Sequence, residues 1–240
     1  MVVASFHLAR FPSATAATAR VPVDRLALRR VPGLRFGRLL GTGRGRTMSA
    51  SADLHRWAIF AVWDDEAAAE RFRSHRLSRR WDGAGERFDV LLRPLGAHGA
   101  WSRIDPLGDD SSTNRCDESD ESPTNRSQHP AGPVAVLTRA TVRWRHVPAF
   151  LRSVPAVDAH LHTADGLLQA VGIGELPVGR QATFSLWRDA EAMTRFAYRS
   201  AEHVDVVQRT RDHGWYGEEW FARFQPVAWS GTWDGGRPLG

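Results

Sequence analysis

Two segments of this 240-residue chain align with each other without a gap. Residues 57–72 match residues 181–196 at an offset of 124 positions, and seven of the sixteen positions are identical. Upstream, residues 32–41 loosely match residues 165–174. The identical pairs are Ala58 and Ala182, Phe60 and Phe184, Trp63 and Trp187, Asp65 and Asp189, Ala68 and Ala192, Arg71 and Arg195, and Phe72 and Phe196. Because self-similarity of this kind marks a repeated structural unit, we predict an internal duplication.

The stretch from Gly108 to Gly132 separates the two similar halves and differs from both in composition. It carries six acidic residues and two arginines, a net charge of −4, and almost no large apolar side chain. A segment of this kind cannot bury enough apolar surface to fold. We therefore predict an N-terminal repeat over residues 1–107, an acidic disordered linker over 108–132 and a C-terminal repeat over 133–240.

Each half is predicted to run strand, helix, strand, strand, helix, strand, which is the order of a ferredoxin-like unit. Two such sheets can pack face to face and close an α+β barrel of the dimeric type within one chain, with the helices outside. The expected strands are residues 2–8, 33–40, 57–63 and 88–94 in the first half and 133–144, 166–174, 181–187 and 227–233 in the second. The expected helices of the second half are residues 147–161, 189–213 and 216–224.

Composition excludes several classes of protein. Hydrophobic residues make up 42% and charged residues 25% of the chain, as in an ordinary globular protein. The single cysteine, Cys116, excludes an internal disulfide and a zinc cage of cysteines, so we expect a cytoplasmic location. No apolar run approaches about 20 residues, and the N-terminus does not resemble a signal peptide. The glycine-rich residues 41–46 lack the ending of a phosphate loop, so we expect no NAD or FAD site.

The chain has a net charge of +5, and all of its basic side chains apart from histidine are arginines. Eight of these arginines lie between Arg20 and Arg46, where Asp24 is the main acid. A basic surface attracts acidic partners. Docking to an anionic membrane surface fits this region at least as well as nucleic acid, for which no aromatic–basic recognition motif is present. We therefore expect no nucleic-acid partner. The simplest alternative is a solvated basic face.

The long helix predicted from residue 189 carries a stripe of residues at helical spacing. The stripe consists of Met193, Phe196, Ser200, His203 and Val207. His203 should therefore face the sheet instead of solvent. A histidine in such a place is either a core residue bonded to a backbone carbonyl or the axial ligand of a haem held between helix and sheet. The spacing leaves both interpretations open.

Further candidates lie beyond that helix and on the first strand of the second half. Arg209 and Arg211 could hold carboxylates such as haem propionates, or simply complement the dipole at the end of a helix. Trp215 and Tyr216 could form the wall of a ligand pocket or pack the turn. Arg139 would need an anionic ligand if it pointed into the barrel. The neighbouring Arg143 and Arg145 should be exposed at the strand end.

Long segments of the chain resemble spheroidene monooxygenase and its relatives. In the second half, the resemblance is carried by residues 132–141, 171–179, 183–188 and 196–224. The last of these segments contains His203 and the run Arg209-Thr-Arg-Asp-His-Gly-Trp-Tyr216. In the first half it is carried by residues 32–36, 39–43, 61–64 and 101–106. It covers nearly the whole chain except the acidic segment.

The resemblance implies an oxygen-dependent oxygenase that contains haem b and acts on carotenoids. The family hydroxylates an acyclic carotenoid at C-2 and carries it on to a ketone, with electrons from a reduced ferredoxin-type donor. Such an enzyme would be cytoplasmic, with a peripheral contact at the inner face of the membrane. The resemblance favours His203 as the metal ligand, with Arg209, Arg211 and Tyr216 also at the cofactor. The expected substrate-pocket residues are Trp187, Phe196, Tyr198 and Trp215.

Two alternatives share the same fold. The first is a non-catalytic barrel that binds haem or another apolar ligand. The second is a protein that stores or degrades haem. The colour of the purified holoprotein would distinguish a haem protein from a cofactor-free binding module.

Overall fold

The computed structural model describes residues 1–44, 52–108, 131–147, 152, 159, 161, 163–175, 180–199 and 216–240, with only the backbone at 180, 198, 199 and 216. The strands are β1 (Val3–Arg10), β2 (Leu34–Gly43), β3 (Ala52–Trp63), β4 (Glu86–Gly99), β5 (Val134–Val142), β6 (Leu167–Glu175), β7 (Arg180–Trp187) and β8 (Tyr216–Gly231). The α-helices are α1 (Ala14–Leu28), α2 (Glu66–Arg73), α3 (Arg76–Arg80) and α4 (Ala190–Arg199).

The eight strands form one closed barrel in the order β1-β3-β2-β6-β7-β5-β8-β4, and every pair is antiparallel. The first half contributes the order β4-β1-β3-β2, and the second contributes β8-β5-β7-β6. These two orders are the same, and both are those of a ferredoxin-like unit. The expected α+β barrel built from two repeats in one chain is therefore confirmed.

The barrel interior is filled with apolar and aromatic side chains. Along β1, Ala4, Phe6 and Leu8 point into the barrel, whereas alternate residues face the helices. Phe6 from the first half stacks on Phe184 from the second, with ring centroids 3.9 Å apart. The core thus joins the two halves directly. Both faces of the central strands are buried, which explains their nearly continuous apolar sequences.

The helices cover the outer faces of the two sheets and begin in the same way in both halves. Asp65 caps α2 by accepting the N–H of Ala68, and Asp189 accepts the N–H of Ala192 at the start of α4, each at 2.7 Å. A carboxylate here satisfies an otherwise unpaired donor and complements the helix dipole. The predicted helix start at Asp189 is therefore confirmed.

A tryptophan at the end of each hairpin packs on a phenylalanine of the following helix. The Trp63 and Phe72 rings lie 5.0 Å apart at 39°, and the Trp187 and Phe196 rings lie 5.2 Å apart at 38°. These four residues belong to the identical pairs found in the sequence. The two halves therefore repeat each other in side-chain packing as well as in topology.

A second repeat, which the sequence analysis missed, covers the closing strands. Residues 86–108 align with residues 218–240 at an offset of 132, with seven identities in 23 positions. After each strand the chain makes a tight turn, at residues 102–103 and 234–235, in which both residues have positive φ. The identical pairs are Glu86 and Glu218, Pro94 and Pro226, Gly99 and Gly231, Trp101 and Trp233, Pro106 and Pro238, Leu107 and Leu239, and Gly108 and Gly240.

Each of these turns is held by the other half of the chain. The Glu218 carboxylate accepts the N–H of Arg103 at 2.6 Å, and the Glu86 carboxylate accepts the N–H of Gly235 at 2.7 Å. The turns direct Trp101 and Trp233 into the barrel, where both are fully buried. We refer to this pair of interactions as the reciprocal clasp. It fastens β4 and β8, whose pairing closes the barrel.

The prediction of a short helix over residues 216–224 is wrong, because this segment is the first half of β8. Trp220, Ala222 and Phe224 alternate into the barrel, which is a period of two. Apolar residues at 221 and 227 blurred that alternation in the sequence. The linker prediction falls on residues 109–130, which lie outside the described residues, as do most of the predicted helix at 147–161 and the segment 200–215.

Candidate functional site

The helix-covered face of the second sheet carries two of the predicted substrate-pocket residues, Trp187 and Phe196. Trp187, at the end of β7, is 2% exposed and donates its indole N–H to Ser185 Oγ at 2.9 Å. Met193 of α4 is buried in the same apolar cluster, and Phe196 packs against the cluster. This side of α4 therefore faces the sheet. We call this region the second-sheet face.

The structure brings together two of the predicted site residues. Trp187 and Phe196 are in ring contact. Tyr198 lies near the end of α4, and Tyr216 opens β8 and pairs with Val142, with only the backbone described for these two tyrosines. The remaining predictions, His203, Arg209, Arg211 and Trp215, lie outside the described residues.

Charged side chains border the second-sheet face at the surface. Asp165 lies 3.2 Å from Arg188 and 3.1 Å from Arg195, measured between side-chain oxygen and nitrogen. The hydrogen bond from Arg188 is the main reason that the pKa of Asp165 is lowered. At the corresponding place in the first half, Pro32 replaces Asp165, and a cavity of about 210 Å³ lies between Pro32 and Phe72. The two helix-covered faces therefore differ at this position.

Arg139 points into one end of the barrel, as the alternation along β5 requires, and it is almost fully buried. Its guanidinium forms an ion pair with Glu218, which also accepts the N–H groups of Ser102 and Arg103. Burial works to raise the pKa of Glu218, but these donors outweigh it and lower the pKa. The charge of Arg139 is thus balanced within the chain, so its burial does not by itself require the external anion considered above.

The same end of the barrel contains a second, partly buried ion pair. Glu175 accepts the indole N–H of Trp101 at 2.7 Å and lies 3.1 Å from Arg38 Nε. The Arg38 guanidinium covers the Phe36 ring, with its central carbon 4.1 Å from the ring centroid. These contacts cover Trp101 with paired charges. This end of the barrel therefore serves to hold the two halves together.

A hydrogen-bonded chain that sequence reasoning missed lies on the helix-covered face of the first sheet. His7 lies with Nδ1 2.6 Å from the Asp89 carboxylate and Nε2 2.9 Å from Ser5 Oγ. Trp63 donates its indole N–H to Ser5 Oγ at 2.8 Å. The order serine, histidine, aspartate resembles a hydrolase triad. Ser5, however, is 3% exposed and held by Trp63, so the chain is a buried structural network.

Asp89→Asn is expected to destabilise the protein by about 2 kcal/mol at pH 7, the usual range for a buried charged hydrogen bond. Burial works to raise the pKa of Asp89, but His7 and Arg87 outweigh it and lower the pKa. A carboxylate whose pKa is lower in the folded state than in the unfolded state stabilises the fold at pH values above its unfolded pKa of about 4. This stabilisation is lost as the pH falls through the folded-state pKa. Urea unfolding at pH 7 and at pH 3 measures both effects.

The matched control for Asp89→Asn is Asp64→Asn, which removes an exposed ion pair with Arg35. Exposed pairs contribute little, so the loss at pH 7 should stay below about 1 kcal/mol. The difference in free energy of unfolding between the Asp89 variant and the unmodified chain should be smaller at pH 3 than at pH 7. Equal losses in the two variants would contradict a structural role for the buried network.

The described residues contain neither a candidate metal cluster nor a candidate membrane-spanning helix. No group of three or more histidine, cysteine, aspartate or glutamate side chains is placed to hold a metal ion there. Among the helices in that part of the chain, none is long and apolar enough to cross a membrane. A single histidine that binds a haem iron does not form a group of this kind.

Three curated proteins resemble the chain over most of its length. All are named spheroidene monooxygenase. The one from Rhodobacter capsulatus is 32% identical over 244 residues, which covers 100% of this chain and 96% of the relative. The one from Rubrivivax gelatinosus is 34% identical over 211 residues, covering 86% of this chain and 74% of the relative. The one from Cereibacter sphaeroides is 30% identical over 224 residues, covering 92% of this chain and 64% of the relative.

This chain belongs to the spheroidene monooxygenase family. It is therefore an oxidoreductase of the monooxygenase type. No family model matches the chain. Two solved structures of aldoxime dehydratase, one in complex with butyraldoxime, cover 94% of this chain and about 80% of their own length, with TM-scores of 0.59 and 0.58 at 10% and 11% identity. These structures share the fold of this family member.

Proposed function

We propose that this chain is a haem-dependent monooxygenase that oxidises an apolar, carotenoid-like substrate with dioxygen. The reaction proposed is hydroxylation, continued to a ketone, with electrons from a reduced ferredoxin-type donor. The observation that carries the proposal is the match to spheroidene monooxygenase of Rhodobacter capsulatus, which spans the whole chain at 32% identity. The barrel alone does not carry it, since one fold hosts many activities.

The haem is proposed to lie against the second-sheet face. The buried Met193 and the Trp187–Phe196 contact support this placement, because they show that this side of α4 faces the sheet and offers an apolar, aromatic wall. The sequence spacing predicts His203 on the same stripe, about two helical turns beyond Phe196. His203 is the proposed axial ligand. Arg209, Arg211 and Tyr216 are the proposed partners of the propionates.

A bound haem would supply the activation of dioxygen. The work of the protein is to orient the end of the polyene and to exclude water from the reacting carbon. Aromatic side chains suit this role, because they present large rigid apolar surfaces. Trp187 and Phe196 form such a surface at the second-sheet face, and Tyr198 and Trp215 are proposed to extend it.

The electron donor is proposed to be a separate acidic protein of the ferredoxin type. The net charge of +5 would favour the approach of an acidic partner. The proposed location is the cytoplasm, with a peripheral contact at the inner face of the membrane, where a carotenoid substrate would dissolve. Nucleic acid is not a proposed partner.

The test combines hemin titration with turnover. The purified chain should develop a saturable Soret band at one hemin per chain, and the loaded protein should convert an acyclic carotenoid when reductant, ferredoxin and oxygen are all supplied. Omitting oxygen or ferredoxin should stop the conversion. Saturable hemin binding without any oxidised carotenoid would favour a non-catalytic haem-binding barrel. Consumption of the hemin itself on reduction would favour haem degradation. No Soret band at equimolar hemin would end the proposal.

A further inference from the structure

The outward side of α1 has an unusual distribution of side chains. The residues exposed along the helix are uncharged, and two of them are large aliphatic residues one turn apart: Val23 is 57% exposed and Leu26 is 51% exposed. The exposed positions are Thr15, Ala16, Thr18, Ala19, Pro22, Val23 and Leu26. A helix on the surface of a globular protein normally places its charged residues on this side. We call these seven residues the α1 outer face.

The one acidic residue of α1 is turned the opposite way. Asp24 is 2% exposed, lies 2.8 Å from Arg80 and accepts the indole N–H of Trp81 at 3.1 Å. A buried carboxylate is tolerated only when it is paired, and here α3 and its following residue supply the partners. The helix therefore has its one carboxylate inside, and its large exposed side chains, Val23 and Leu26, are aliphatic.

Exposed arginines lie next to α1. Arg29 and Arg30 are exposed directly after α1, and Arg76 and Arg79 are exposed on α3, which packs beside α1. Residues 14–30 and 76–80 together contain seven arginines and one aspartate, a net charge of +6. An apolar patch within a basic border is the pattern of a surface that inserts into the headgroup region of an anionic membrane.

We infer that the α1 outer face docks on an anionic lipid surface, with Val23 and Leu26 entering the acyl boundary and the bordering arginines contacting lipid phosphates. The inference deepens the proposed function and rests on it in one respect, the membrane residence of an apolar substrate. The α1 outer face is the surface that makes the proposed membrane contact.

The position of the α1 outer face favours lipid over an acidic electron-donor protein. α1 covers the first sheet, whereas the second-sheet face lies on the other side of the barrel. The two sheets are about 10 Å apart and a helix layer adds about 10 Å. A donor docked on α1 would therefore sit roughly 20 Å or more from the second-sheet face. A membrane surface does not deliver electrons, so its distance from the second-sheet face is not restricted.

The experiment is sedimentation with vesicles of phosphatidylcholine, pure or containing 30% phosphatidylglycerol. The unmodified chain should bind the anionic vesicles, and binding should weaken with added salt. The double variants Val23→Asn with Leu26→Gln, and Arg29→Gln with Arg30→Gln, should each lower the partition coefficient by about tenfold. The matched control combines Ile104→Asn with Arg237→Gln, an exposed aliphatic residue and an exposed arginine outside α1 and α3, and should bind like the unmodified chain.

Hemin titration of the same variants separates this inference from the proposed function. All of them should keep the haem band of the unmodified chain, because α1 lies away from the second-sheet face. Equal vesicle binding by the α1 variants and the control would overturn the inference even if the haem proposal holds. So would absence of binding to anionic vesicles, or binding of the acidic ferredoxin through the same residues without any binding to lipid.

Discussion

His203→Ala is expected to abolish stoichiometric haem binding while leaving the barrel folded. The axial ligand supplies the only bond from protein to iron in the proposed arrangement, so its loss should remove the saturable Soret band in a hemin titration. Far-ultraviolet circular dichroism and urea unfolding should change little, which would show that the substitution leaves the barrel folded. Carotenoid oxidation should fall by at least about a hundredfold.

The control for this substitution is His75→Asn in the first half. His75 accepts the N–H of Leu77 at the start of α3, and asparagine is a good replacement at a helix N-terminus. This variant should keep its haem. Retention of one hemin per chain by His203→Ala would sink the assignment of the axial ligand.

A second pair of variants uses the duplication itself as the control. Phe196→Ala and Phe72→Ala each remove a ring that packs about 5 Å from a tryptophan. Both should lose stability, by about 3–5 kcal/mol for the fully buried Phe72 and by less for Phe196, which is only partly buried. Only Phe196→Ala should weaken hemin binding. An equal loss of hemin affinity in both variants would show that general loosening of the fold is responsible.

The largest loss of stability is expected for Gly231→Ala, about 4 kcal/mol or more. Gly231 ends β8 with φ +85°, and a methyl group there would run into the backbone carbonyl of Arg87 on the paired strand β4. Relief of that clash requires the two closing strands to separate. Urea unfolding at neutral pH measures the loss, and Gly99→Ala, at the equivalent place in the other half, should match it.

Gly235→Ala separates the clash from simple backbone strain. Gly235 has φ +76°, but a methyl group there would meet no described atom within 4 Å. The substitution should therefore lower the free energy of unfolding only by the strain of a left-handed conformation, about 1–2 kcal/mol. If the losses at positions 231 and 235 were equal, the strand contact could not be the reason for the first.

The topology was predictable from the sequence because its signal is local. Residues 57–72 and 181–196 contain a strand end, a capping aspartate and a helix start, and each of these depends on neighbouring residues. Expected strand bounds were close, but β4 and β8 extend well beyond the segments predicted for them, to 14 and 16 residues. The extension of a strand depends on its partners, which the periodicity of one segment does not contain.

The ion pairs that were missed join residues distant in sequence. Arg139 was recognised as a charge facing the barrel, but its partner Glu218 is 79 residues away and lay in a segment interpreted as a helix. Asp89, the partner of His7, is 82 residues away. One signal was present and overlooked: the alignment of residues 86–108 with 218–240 would have marked residue 218 onward as a strand equivalent to β4.

The reciprocal clasp has a consequence for the origin of the chain. Each strand pair across the β4–β8 seam has a counterpart with the two halves exchanged: Phe88 pairs with Gly231 as Gly99 pairs with Trp220. In the same way, Glu86 holds one turn and Glu218 holds the other. An interface of this kind is isologous, the type formed by identical subunits around a twofold axis. A single-repeat ancestor could therefore have built the whole barrel as a homodimer. Gene fusion would then have supplied a connection and let the two outer faces evolve independently.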